Sequence, residues 1–268
     1  MITKWEIKMK EIVIAILAKD KEYCLDFYLT CILNQTYDKN KIHLWIRTND
    51  NKDGTAIILD KFVKDHGKKY LSVYYNSNSI SDDLKKYSEH EWNSERFNVL
   101  GAIRQESIEY AINKDAHYFV ADCDNFITKD TIQHLYNLKE LDFVGPMLKL
   151  TNQHYYSNFH NQATDFGYFK DNDEYFLIWN KAVQGLITVD TLHCTYFINN
   201  RILNHITYND GSERYEYAIL SHHLRKKGIK QYLDNTKFFG FLFLSDQVGD
   251  DWDKFIEINW KHEYTKML

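Results

Sequence analysis

Tyr118-Phe119-Val120-Ala121-Asp122-Cys123-Asp124-Asn125-Phe126 decides how this chain folds and where its chemistry sits. A short apolar run ends abruptly in two carboxylates two residues apart. The run has the length and composition of a buried strand. In extended backbone alternate side chains project to the same side, so Asp122 and Asp124 are expected to converge on one point. Two ionised carboxylates beside apolar surface repel each other, and a cation between them relieves that cost. A hard divalent ion, Mn²⁺ or Mg²⁺, suits such oxygens and commonly carries phosphate with it. The plain alternative is a solvated acid pair in a loop, and the rest of the chain weighs against it.

Working outward, Ile12-Val13-Ile14-Ala15-Ile16-Leu17 is a continuous apolar run rich in β-branched residues, the mark of a central parallel strand. Helical spacing follows over residues 23–35. Further strands are predicted at 42–47, 71–75 and 142–147, with helices near 56–66, 94–113 and 130–138. Residues 76–91 are polar and are expected to form a long loop. Strands alternating with helices predict an α/β fold with a mostly parallel sheet flanked by helices. The pattern changes over residues 155–197, where Tyr and Phe abound and turn-forming residues recur. Antiparallel or mixed strands of the same sheet are expected there. A helix near 215–227 and a short strand at 231–234 follow. The chain shows no linker, repeat or low-complexity tract, so one domain spanning residues 1–268 is expected. Residues 11–148 would form a nucleotide-type half and 149–268 an acceptor-type half. In such sheets a ligand sits at the carboxyl ends of the strands. That rule lines up Ala18-Lys19-Asp20, Thr48-Asn49-Asp50 and Asp122-Cys123-Asp124 along one edge.

Composition excludes several classes. The 268 residues are 44% hydrophobic, enough for one large core. The formal net charge of −5 argues against a nonspecific nucleic-acid binder. None of the four cysteines (Cys24, Cys31, Cys123, Cys194) forms a Cys-x-x-Cys pair, which argues against a structural zinc site and a disulfide framework. Cys24 and Cys31 are expected in a helix core. The run at residues 12–18 is too short for a membrane span and lacks a cleavage pattern. A soluble, non-secreted protein without a membrane partner is the expectation.

The helix before the acid pair carries a second clue. At 3.6 residues per turn Phe97, Leu100, Ile103, Ile108 and Ala111 share a face, with Arg104 near its middle and Arg96 at its side. A guanidinium on a core-facing stripe requires an anion. The candidates are a buried Asp or Glu, a diphosphate, or an Asp such as Asp122 that Arg104 would orient toward a metal.

These stretches together resemble the N-terminal GT-A-type (Rossmann-like) domain of the collagen β-galactosyltransferase family, which includes the procollagen galactosyltransferases and cerebral endothelial cell adhesion molecule. The resemblance runs from about Ile12 to Phe243. It includes Ala15-Ile16-Leu17-Ala18, Trp92 with Ser94-Arg96-Phe97, Arg104-Gln105, the Asp122–Phe126 segment and Gly145-Pro146-Met147-Leu148. Tyr156-Ser157-Asn158-Phe159, Gly167-Tyr168-Phe169, His193-Cys194-Thr195 and Gly228-Ile229 complete the set. The single proline, Pro146, falls inside one of them.

The resemblance implies a metal-dependent glycosyltransferase using Mn²⁺ (or Mg²⁺) and a UDP-sugar, UDP-galactose in that family. Its acceptor there is hydroxylysine of collagen-like protein, reached with inversion. For this chain a protein or glycan acceptor is expected, and the oligomeric state is left open. Asp122 and Asp124 match the family's Asp-x-Asp motif as metal ligands. Leu17, Ala18 and Asp50 would flank uracil and ribose, with Lys19, Arg96, Arg104 and Asp122 completing the donor-binding set. His193 is the candidate third metal ligand. An inverting transfer needs a base near the acceptor. Glu216 is the first candidate, with Asp210 and Glu213 in the preceding loop behind it. The family carries Asp-Asp where this chain has Tyr215-Glu216. Trp92, Tyr155, Tyr156 and Trp179 are candidates for the acceptor wall. Two competing functions are a noncatalytic accessory module on the same fold and a phosphatase of the haloacid-dehalogenase type. The latter expects its Asp-x-Asp near the chain start and Thr or Val where Phe126 stands.

Overall fold

Seven consecutive residues, Ile12–Ala18, form strand β1, and its apolar side chains alternate between two separate cores. Ile12, Ile14 and Ile16 face one core, with Leu25, Tyr28 and Ile32 of the helix Glu22–Leu33. Val13 and Ala15 face the other, with Ile103, Ile108 and Ala111 of the helix Ser94–Asn113. A strand covered on both faces needs apolar residues at every position, and this one has them. Each fully buried Ile contributes roughly 1.5–3 kcal/mol relative to exposure. The computed structural model describes residues 9–79, 93–249 and 251–268. Trp92 and most of the predicted 76–91 loop lie outside the described residues.

The remaining strands are β2 (Ile42–Thr48), β3 (Ser72–Asn76), β4 (His117–Ala121), β5 (Asn125–Ile127), β6 (Phe143–Pro146) and β7 (Phe159–His160). They continue with β8 (Leu186–Val189), β9 (Thr191–Leu192), β10 (Thr195–Ile198), β11 (Gln231–Asp234) and β12 (Gly240–Leu242). Eight of them form one sheet in the order β3-β2-β1-β4-β10-β6-β11-β8. The pairs β1–β2, β2–β3, β1–β4 and β6–β11 are parallel, while β10 and β8 run against their neighbours. The mixed, mostly parallel α/β sheet is the one the sequence predicts.

Strand order reverses at β1. The chain moves outward through β2 and β3, then returns through the helix Ser94–Asn113 to place β4 on the other flank of β1. The segments that leave the carboxyl ends of β1 and β4 therefore meet at a switch point, the place at which open α/β sheets bind ligands. Ala15 pairs with Val120, so the end of β4 lies level with the last residues of β1.

Residues 155–197 differ from expectation in two ways. They contain the helix Asp173–Trp179, where the sequence suggested only a turn at Asp171-Asn172-Asp173. Asn172 is the cap: its side chain accepts the Tyr175 N–H at 3.0 Å. Also, β7 and β9 pair with each other in a separate two-stranded sheet, while β8 and β10 join the main one. After β11 the chain folds back. Strand β12 pairs with β5, and the helices Trp252–Asn259 and Lys261–Met267 pack aromatic residues onto the first core. Gly240 permits this return, because a Cβ there would sit 1.9 Å from the Phe126 carbonyl and its φ is +139°. Among the described residues no helix is long and apolar enough to cross a membrane.

Candidate donor-binding site at the β1–β4 crevice

Strand β4 ends at Ala121, and the two acids stand on a turn instead of extended backbone. The Asn125 N–H donates to the Asp122 carbonyl at 2.8 Å, closing it. The expected convergence by strand alternation is therefore replaced by presentation on a tight turn.

That turn is clamped on every side. The Asp122 N–H donates to the Cys194 carbonyl at 2.9 Å, and the Phe243 N–H donates to the Asp124 carbonyl at 2.8 Å. The Cys123 thiol donates to the Leu17 carbonyl at 3.2 Å, Tyr28 Oη to the Ala121 carbonyl at 2.9 Å, and Asn125 Nδ2 to Thr195 Oγ1 at 2.9 Å. Cys194 serves with a left-handed φ of 65°, uncommon for a residue with a Cβ. Backbone held from β1, β10 and the C-terminal return leaves the two carboxylates fixed before any ligand arrives.

Each acid has its own cation. Arg104 Nη2 donates to Asp122 Oδ1 at 2.7 Å, and Arg104 Nε donates to Glu216 Oε1 at 3.2 Å. The Arg104 side chain is 4% exposed and that of Glu216 8%. Burial alone would weaken the guanidinium's charge, yet Asp122 first and Glu216 after it hold Arg104 firmly cationic. Burial raises the carboxyl pKa of Glu216, with Arg104 opposing. Gly101 makes the pairing reachable. A Cβ there would lie 2.8 Å from the Tyr208 carbonyl, so glycine lets the Arg104 helix approach the segment that carries Glu216. The predicted need of Arg104 for an anion is met by both a buried Glu and Asp122.

Asp124 pairs with Lys21 instead. Lys21 Nζ donates to Asp124 Oδ2 at 2.7 Å and lies 3.2 Å from Tyr23 Oη. The pair crosses the switch point, since Lys21 follows β1 and Asp124 follows β4. Burial opposes the ammonium's charge, but Asp124 raises the Lys21 pKa well above the usual range. Local backbone fixes Lys21: its N–H donates to Thr55 Oγ1 at 2.7 Å. The loops after β1 and β2 also interlock, with Asp20 N–H on Asn51 Oδ1 at 3.1 Å and Lys52 N–H on Asp20 Oδ1 at 2.7 Å. Both Asp20 and Asp50 adopt positive φ at these strand ends.

The other expected site residues distribute around this centre. Leu17 is half-buried with its carbonyl on Cys123, Ala18 is buried, Lys19 is exposed and Asp50 is half-buried. Arg96 is half-buried on the first turn of the Arg104 helix, about 12 Å along the axis from Arg104. His193 is buried, its Nδ1 lying 2.9 Å from Cys194 Sγ and its ring against Tyr156, His160 and Tyr217. Burial, then His160 and Arg104, push its pKa well down, so the imidazole is neutral. Its Nε2 is buried without a hydrogen-bond partner among the described residues. Yet no group of three or more His, Cys, Asp or Glu among the described residues is arranged to hold a metal ion. His193 therefore does not complete a three-ligand set with the two acids. It packs among the rings of Tyr156, His160 and Tyr217.

Each base candidate has a distinct setting. Glu216 is sealed under Arg104 instead of standing open at the crevice. Asp210 binds Arg214 Nη2 and accepts the Ser212 N–H at 3.0 Å. Burial works against its charge, but those hydrogen bonds hold its pKa below the usual carboxylate range. Glu213 is exposed in the same loop. Of the acceptor-wall aromatics, Tyr155 is exposed, Tyr156 half-buried and Trp179 buried beneath the Lys149 ammonium, 3.8 Å from its ring. Trp179 is thus packing, not wall. Lys21, Cys194 and Phe243 escaped the sequence reading as site residues. The one available signal was for Lys21, a basic residue directly after the strand-end segment Ala18-Lys19-Asp20.

The donor set suits a hard divalent cation. It offers two partly exposed carboxylates, 27% for Asp122 and 14% for Asp124, held on one hydrogen-bonded turn. Asp122 and Asp124 are the residues that would hold such an ion, with Arg104 orienting the first.

Comparison with known proteins agrees with this geometry. Residues 9–259 match the model of the glycosyltransferase family 25 N-terminal domain. "Inactive glycosyltransferase 25 family member 3" of Mus musculus is 31% identical over 193 residues, covering 70% of this chain and 32% of that protein. "Procollagen galactosyltransferase 2" of Homo sapiens is 26% identical over 243 residues, covering 86% of this chain and 38% of that protein. The chain thus spans about a third of the length of these relatives. Among solved structures, S. aureus TarS in complex with UDP-GlcNAc superposes with a TM-score of 0.56 at 13% identity, covering 87% of this chain and 58% of that one. That likeness shows a shared GT-A fold. With the acid pair at the switch point, the sheet order and the match over residues 9–259, the chain belongs to glycosyltransferase family 25, as its N-terminal domain type.

Proposed function

We propose that this chain is a metal-dependent glycosyltransferase that takes a hexose, galactose in the first instance, from a UDP-sugar and passes it to a hydroxyl of a protein or glycan acceptor. Collagen-like hydroxylysine is the first acceptor to test, because one relative is named a procollagen galactosyltransferase. The observation that carries the reading is the clamped Asp122–Asn125 turn at the β1–β4 switch point, with Arg104 on one acid and Lys21 on the other. Asp122 and Asp124 would hold Mn²⁺ (or Mg²⁺), which when bound neutralises charge developing on a departing diphosphate. Arg104 holds the Asp122 carboxylate in one orientation, and its second bond to Glu216 fixes the guanidinium plane. Leu17, Ala18 and Asp50 flank the nucleoside side of the crevice, and residues 149–268 supply the acceptor side. The test is UDP release from UDP-galactose with Mn²⁺ and a collagen-like peptide. Turnover that disappears in Asp122→Ala and Asp124→Ala supports the proposal; equal turnover in all three proteins removes it.

A second reading, a noncatalytic module that binds nucleotide-sugar, rests on two observations. Glu216 is buried against Arg104, and relatives at 31% identity carry the word inactive in their names. UDP binding without turnover on any acceptor would favour it. The phosphatase reading falls away with the family assignment.

A further inference from the structure

The five charged groups linked through the acid turn, the sealed Glu216 included, do not balance. Asp122, Asp124 and Glu216 face two cations, Arg104 and Lys21, which leaves one formal negative charge. A diphosphate entering alone would meet net repulsion, whereas a divalent cation would reverse the sign. The two resident cations also differ in how they are held. Arg104 is sealed, with two anionic partners and a 4% exposed side chain. Lys21 is 27% exposed, has one anionic partner, and hangs from a flexible four-carbon stem. Its backbone is fixed through Thr55, and its ammonium is held by Asp124 Oδ2 at 2.7 Å and Tyr23 Oη at 3.2 Å.

Resting on the donor-site reading above, we infer that Lys21 is a built-in counter-ion that couples metal binding to nucleotide binding. The ammonium and a divalent cation are alternative partners of Asp124. When the metal takes the carboxylate, Lys21 is released on the same lip of the crevice. It then finds its next anion in the diphosphate that the metal brings. Lys21 thus weakens binding of metal alone and strengthens binding of metal with nucleotide. Because coupling is reciprocal, UDP tightens the metal by the same factor as the metal tightens UDP. Nothing covalent changes in this exchange; one ion pair replaces another.

The experiment is a Mn²⁺ titration followed by the electron paramagnetic resonance signal of free Mn²⁺, with and without UDP. It uses the full chain and its Lys21→Met, Lys21→Gln and Lys21→Arg variants, each checked for an unchanged thermal melt. Without UDP, Lys21→Met and Lys21→Gln should bind Mn²⁺ about five- to tenfold more tightly than the parent, the loss of one partly exposed competing ion pair. Their gain in Mn²⁺ affinity on adding UDP should shrink by a similar factor, and Lys21→Arg should stay close to the parent. Equal Mn²⁺ affinity in the parent and both neutral variants, with UDP coupling intact, overturns the role of Lys21 while leaving the metal site standing. No Mn²⁺ binding by any of the proteins, or binding unaffected by Asp122→Asn with Asp124→Asn, overturns the donor-site reading and this inference with it.

Discussion

The two acids of one turn live in different electrostatic worlds. Asp122 leans on a guanidinium buried between two carboxylates, part of the interior of the second core. Asp124, itself 14% exposed, leans on an ammonium whose side chain is 27% exposed. The first arrangement is structural as well as functional, because stripping one partner leaves an uncompensated buried charge. The second is cheap to break, because solvent takes over what the partner supplied. A ligand site needs both kinds: a fixed reference that keeps a carboxylate aimed, and an exchangeable contact that yields when the ligand comes.

Mutations should separate the two sides, beginning with the largest effect. Arg104→Met should destabilise the fold by about 3–5 kcal/mol, since it leaves Glu216 buried and Asp122 without its partner. Urea denaturation of the purified variant measures this, and a loss under 1 kcal/mol would erase the contrast between the sides. Asp122→Asn should cut any UDP-galactose turnover by roughly 10²–10³-fold, the scale for removing one preorganised electrostatic contact. Steady-state rates at saturating donor check it.

A pH experiment probes the sealed side further. His160 packs beside His193, and burial pushes its pKa down to about 4; burial and nearby Lys10, Lys139 and Arg201 do the same for His117. A histidine whose folded pKa lies below its unfolded value binds its proton more readily when unfolded. Stability from these two is full above the unfolded pKa near 6.5 and is lost as pH falls toward 4. His160→Phe should flatten that decline by about one proton's worth, near 1.4 kcal/mol per pH unit, in urea melts between pH 6 and 4.5. The smallest effect belongs to the open side. Lys21→Met should change stability by about 0–1 kcal/mol, and a loss above 2 kcal/mol would mean that the pair is as structural as Arg104.

Much of this contrast was legible in the chain itself. The unbroken apolar run at residues 12–17 announces a strand covered on both faces, and Arg104 on an apolar helix stripe announces a buried anion. Both inferences rest on costs that hold wherever the residues fold. What was hidden depends on tertiary contact. The turn at Asp122–Asn125 forms because Cys194, just before β10, and the returning segment at Phe243 satisfy its backbone, and both lie more than seventy residues away in sequence. The helix Asp173–Trp179 starts from Asn172, whose capping role hides among residues that equally favour turns. Burial of Glu216 depends on Gly101 allowing two segments to touch, which no helix-terminus pattern records. Lys21 looks like any solvated lysine until β4 brings Asp124 to it.

One binding measurement bears on the whole account. Titration calorimetry of UDP into the protein, with and without Mn²⁺, should show binding that Mn²⁺ strengthens at least about tenfold, a gain that Asp122→Asn combined with Asp124→Asn abolishes. UDP that binds the parent and the double variant equally, with no response to Mn²⁺, would contradict the assignment of this turn as the donor site.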